Sequence, residues 1–210
     1  MIKMFFKDSL TVDSLQALRE YIALKFPNYP AAALTYENAP VQSERTQYTR
    51  RRLNEIDIKR EKYERTKQST QIGSKLSLKL PSITEEEISL SDLKSKFIFV
   101  DIWASWCKPC RAQIPYIKEV LKKYPNDIKI YAVSIDIGHN TWRNAIEKDQ
   151  TQEFIHVIGT DQDRRNVRSV EVLGIERIPR NFLLDRNCRI IAKDLHDEQL
   201  MQTLDSLTKQ

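Results

Sequence analysis

The chain has 210 residues, 40% hydrophobic and 30% charged, with a net charge of +5. No apolar run reaches the ~18 residues that span a bilayer, the four glycines form no phosphate-cradling loop, and three cysteines are too few for a disulfide-stapled scaffold. The modest positive charge favours solubility and does not by itself predict nucleic-acid binding, so no nucleic-acid partner is expected.

The first residues, MIKMFFKDSL, break at Lys7 and Asp8 and lack the apolar core of a signal peptide. The protein is then cytoplasmic, or the chain begins after a removed signal or partway into a longer product. Residues 1–70 read as a helical N-terminal segment. Leu10, Val12, Leu15, Leu18, Ile22 and Leu24 recur close to a 3.6-residue period, with Ser9 or Thr11 as cap and Pro27 and Pro30 as stops. The stretch 43–68 carries nine Lys/Arg against five Asp/Glu, and its apolar positions, such as Leu53, Ile56 and Tyr63, are sparse. Interleaved signs mark a solvated helix face even around Arg50-Arg51-Arg52.

Residues 67–74 are polar and aperiodic, which places a boundary there and a second domain over 71–210. After it strands alternate with helices, the pattern of an α/β layered sheet. Residues 75–80 alternate like an edge strand. Residues 97–104 and 128–136 are continuous apolar runs, expected of strands buried on both faces. Helices are expected over 109–124 and 141–149, and Gly174 reads as the C-cap of another. Residues 181–185 and 189–195 form two strands about a turn at Arg186-Asn187. An amphipathic helix with Leu200, Leu204 and Leu207 closes the chain.

Cys107 and Cys110 follow the first buried run. A zinc site needs four ligands, usually two close pairs, and Cys188, His139, His156 and His196 supply no second pair. No metal and no other cofactor is expected. An inert pair would sit within an element, whereas these fall where a strand gives way to a helix, with Pro109 suited to the first turn. Unpaired N–H groups there, with Lys108 and Arg111, stabilise a thiolate. The residues therefore favour redox exchange over a metal site or an inert pair. In such exchange one thiolate attacks a disulfide and the second resolves the mixed disulfide.

The segment FIFVDIWASWCKPCR resembles the active-site segment of the thioredoxin family, and LGIERIPRNFLLDRNCRII resembles the family's second signature around a cis-proline. The lead-in from Ser77 is similar to the TlpA/ResA-like branch of bacterial thiol–disulfide oxidoreductases. The resemblance covers about residues 75–210. It implies a thioredoxin fold, a central mixed sheet flanked by helices with a C-terminal β-hairpin.

It also implies roles. Cys107 would be the exposed nucleophile and Cys110 the resolving thiol. Asp101 would move the proton for Cys110. Pro179 would be the cis-proline facing the pair. Ile178 would offer backbone hydrogen bonds to substrate, and Trp106 would cover the sulfur. Trp103 reads as core. The implied partners are protein disulfide or dithiol substrates and a redox partner protein. The implied compartment is periplasmic or otherwise extracytoplasmic, with a membrane tether outside this chain.

Departures from the family pattern carry expectations of their own. Lys108 replaces the glycine of classical thioredoxins, which predicts a more oxidising couple. Lys108, Arg111, Arg177 and Arg180 predict a basic rim, and Cys188 at the hairpin turn is expected to be structural. A thiol peroxidase is one rival, disfavoured because Ala104 stands where its threonine would. A non-catalytic interaction module is another, disfavoured by the intact cysteine pair and Pro179.

Overall fold

The computed structural model describes residues 55, 57, 58, 61, 64–160, 168–171, 173–175 and 177–209. The chain divides into two units, Met1–Glu64 and Arg65–Gln210. The helix expected over residues 9–24 and the basic run at 50–52 lie outside the described residues. Among the described positions of the charged stretch, 55, 57, 58, 61 and 64–69 are helical.

The second unit is built on a five-stranded sheet. Its strands are β3 (Phe97–Trp103), β4 (Ile128–Ser134), β5 (Ile155–Ile158), β6 (Arg180–Asp185) and β7 (Ile190–Lys193), in the order β5-β4-β3-β6-β7. Strands β1 (Lys79–Pro81) and β2 (Glu87–Ser89) form a separate antiparallel pair. Helices α1 (Lys108–Ala112) and α2 (Ile114–Lys123) connect β3 to β4, and α3 (His139–Asp149) connects β4 to β5. The short α4 (Arg168–Glu171) precedes β6, and α5 (Gln199–Thr208) ends the described chain.

β3 lies at the centre, parallel to β4 and antiparallel to β6, and all seven of its residues are buried. A strand covered on both faces favours apolar side chains on both, which is why its sequence runs without alternation and Asp101 is its one polar residue. Phe97, Phe99 and Trp103 face a layer that includes Cys110, Ile117, Trp142, Leu200 and Leu204. Ile98, Val100 and Ile102 face the opposite layer, with Leu76, Leu78, Leu90, Val170 and Leu173. Each such side chain contributes roughly 1.5–3 kcal/mol on burial.

Three sequence expectations change in detail. The alternation over 75–80 appears as burial of Leu76, Leu78 and Leu80, but only Lys79 and Leu80 of that stretch join the β1–β2 ladder. The expected helix over 109–124 is two helices meeting at Gln113. Pro115 explains the break: it has no N–H, and its ring clashes with the carbonyl four residues back. β5 was not expected. It is only four residues long, and His156 interrupts its apolar pattern.

Candidate active site

At the C-terminal end of β3 the chain turns through Ala104–Trp106 into α1. Cys107 is the N-cap of that helix, and its Sγ accepts a hydrogen bond from the Cys110 N–H at 3.2 Å. Such a bond to sulfur favours its charged form once the pair is reduced. Here the two sulfurs are bonded to each other, with Cα atoms 5.3 Å apart. Cys107 is only 4% exposed and Cys110 2%. The expectation of a solvent-reaching Cys107 is thus corrected for the disulfide state, in which its sulfur turns inward to join Cys110. The exposed group is Trp106, at 64%, a large apolar surface next to a buried sulfur.

The turn is held from β4. Asp136, fully buried just past that strand, accepts from the Ser105 N–H at 2.8 Å and the Ser105 hydroxyl at 2.6 Å. Ser134 donates to the same carboxylate at 2.8 Å. The sequence reading missed this anchor, whose only trace is an acid closing an apolar strand.

The Ile178–Pro179 bond is cis. Because Ile102 pairs with Arg180, Pro179 lies at the same end of the sheet as the 104–107 turn. Asp101, on β3, pairs in register with Ala132 and Asn181. It shares the sheet face of Phe99 and Trp103, toward the layer that holds Cys110. Burial alone raises its carboxyl from 3.8 to about 7.

The expected basic rim is smaller than the sequence implied. Arg111 donates Nε and Nη2 to the two carboxylate oxygens of Asp149, both at 2.6 Å, and Nη1 to the Ser105 carbonyl. Arg180 lies 3.6 Å from Asp194 and over the Phe182 ring. Lys108 and Arg177 are exposed. Asp149 lies 38 residues from Arg111, so no local pattern could announce the pairing.

Cys188 sits at the opposite end of the sheet, in the β6–β7 turn, with φ +59. It is buried, and that burial raises its thiol pKa. Among the described residues no group of three or more His, Cys, Asp or Glu is placed to hold a metal ion, and no helix is long and apolar enough to cross a membrane.

A disulfide at a helix start, on a mixed sheet with a cis-proline at the same end, is the arrangement of thioredoxin-like proteins, and comparison with solved structures agrees. The thioredoxin domain of a thiol-disulfide oxidoreductase from Bacteroides vulgatus superposes with a TM-score of 0.60 and 28% identity, covering 66% of this chain and 99% of that one. A thiol:disulfide interchange protein from Bacteroides sp. gives 0.60 and 28%, over 68% and 93%. The chain belongs to the Redoxin family, whose profile matches residues 71–209. Among characterised relatives, the thiol-disulfide oxidoreductase ResA of Bacillus cereus is 25% identical over 147 residues, 68% of this chain and 82% of the relative.

Proposed function

We propose that the protein is a thiol–disulfide oxidoreductase that exchanges disulfides with protein substrates through Cys107 and Cys110. The observation that carries this is the bonded cysteine pair at the N-terminus of α1, at the sheet end where cis-Pro179 also lies. Acting as a reductant, the Cys107 thiolate attacks a substrate disulfide. The new Cys107–S bond forms as the substrate S–S bond breaks, and one substrate sulfur leaves as a thiolate. Asp101 then takes the Cys110 proton. The Cys110 thiolate attacks Cys107 Sγ and expels the second substrate thiolate. Two electrons have passed to the substrate, both substrate sulfurs take up protons, and the enzyme is left as the disulfide.

Trp106 supplies the apolar surface on which a substrate segment rests. The backbone of Ile178, before Pro179, is an edge for an extended peptide in the manner of strand addition. Lys108 supports the thiolate of its neighbour. The likeness to the TlpA/ResA-like branch supports an extracytoplasmic site of action on protein dithiols and disulfides, with a redox partner protein that returns the enzyme to its starting state.

The test is reduction of insulin disulfides by the full chain. Activity is expected to vanish in Cys107→Ser. In Cys110→Ser it should stop at a trapped mixed disulfide visible by mass spectrometry. Undiminished turnover in Cys107→Ser, or peroxide consumption in place of disulfide reduction, would overturn the reading.

A further inference from the structure

Asp101 is buried, yet a proton relay must communicate with water. A small cavity adjoins it, lined by Asp101 and Asn181 on the sheet, by the half-buried Gln113 and by the exposed Asp197. Phe99 and Leu200 form apolar walls, and the free volume is about 10 Å³, the room a single water needs. Across the mouth, Gln113 Nε2 donates to Asp197 Oδ1 at 3.1 Å, and the Asp197 N–H donates to Gln113 Oε1 at 2.7 Å.

Both halves of this clasp are tied to the site. The Gln113 N–H donates to the Cys110 carbonyl at 3.0 Å. On the other side, Asn181 fixes the loop that carries Asp197, exchanging two 2.8 Å hydrogen bonds with the Leu195 backbone. Asn181 is also the residue opposite Asp101 in the β3–β6 register.

We propose that this cavity is the route by which Asp101 exchanges its proton with solvent, and that the Gln113–Asp197 clasp is the gate that limits water entry. The inference rests on the proton role given to Asp101 above. In turnover, Asp101 takes one proton from the Cys110 thiol and releases one through the cavity, so no other reactant is needed. Gln113 and Asp197 are positioning residues that act on the sulfur chemistry through Asp101. The titratable groups that line the cavity with Asp101 are Tyr116 on α2 and Asp197 ahead of α5, Cys110 on α1 belongs to the layer on the same sheet face, and the strand neighbours Ala132 and Asn181 do not titrate. Burial, with no contribution from a charge, sets the Asp101 carboxyl, so admitting water is the way to move it.

The experiment is a carbon-13 NMR titration of the Asp101 carboxyl in the full chain, with Asp101→Asn to assign the signal, alongside the pH profile of disulfide exchange. Gln113→Ala removes both clasp bonds and is expected to lower the midpoint by about one pH unit. Asp197→Ala keeps the bond from its own backbone N–H and should lower it less. Asp197→Asn keeps both bonds and should leave the midpoint in place. The gate is refuted if Gln113→Ala leaves the midpoint unmoved. It is also refuted if Asp197→Asn moves it as far as Gln113→Ala, because charge rather than water would then be the cause. If Asp101→Asn leaves the exchange profile unchanged, the proton role itself falls and takes the gate with it. If Asp101→Asn removes the inflection while the clasp variants keep it, the gate alone falls.

Discussion

Two buried groups on strands that flank β4, Asp101 on β3 and His156 on β5, pull the domain's pH stability in opposite directions, and replacing either one should expose the other. Asp101 is held from 3.8 up to about 7 by burial. His156 is held from 6.5 down to about 4, again chiefly by burial, and its Nε2 faces the Thr151 carbonyl at 2.8 Å. Between about pH 4 and 7 the unfolded chain has ionised Asp101 while the native chain keeps it protonated. The native state then binds the extra proton, and stability falls as pH rises. A displacement of this size corresponds to about 4 kcal/mol. For His156 the sign reverses. Below about pH 6.5 the unfolded chain takes a proton that the native chain refuses, so stability falls as pH drops, by about 3 kcal/mol at most.

The two slopes nearly offset each other in the parent protein over about pH 4 to 6.5. Asp101→Asn stays neutral at every pH. Its stability relative to the parent should therefore be near zero difference at about pH 4 and reach a gain of about 4 kcal/mol at about pH 8. His156→Phe should show the reverse trend, gaining on the parent as the solution is acidified. Urea unfolding of the oxidised protein across this range measures both. An Asp101→Asn difference that stays constant with pH would refute burial as the source of its displacement.

Other substitutions test the packing around the site. Gly174 has φ +58, and a Cβ built there would run into the Thr66 side chain. Gly174→Ala should destabilise by about 2 kcal/mol or more, combining left-handed strain with overpacking, and a thermal melt reads it. Arg111→Ala removes the two-pronged bond to Asp149, whose members are only 28% and 15% exposed, and should lose about 1–3 kcal/mol in urea unfolding. Arg111→Lys should recover only part of that, since an ammonium cannot grip both oxygens in a plane.

What could be read from the sequence was what local chemistry encodes. The buried strands β3 and β4 announce themselves because a strand covered on both faces has no polar side to show. The cysteine pair's place at a helix start follows from Pro109, and the cis bond before Pro179 from a family motif rather than from any property of the residues alone. Features formed by contacts distant in the chain stayed hidden. Gln113 and Asp197 meet across 84 residues, and Asp136 grips Ser105 across 31. β5 was missed because four residues with a histidine among them carry too little pattern.

The cysteine bridge joins positions only three apart, inside one turn at the head of α1. Closing so small a ring withdraws only about 2 kcal/mol of chain entropy from the unfolded state. None of the long-range strand pairing passes through it. The reactive bond thus works like a latch at one end of a finished frame. It can open and close at each encounter with a partner while the sheet behind it carries the same load in either setting.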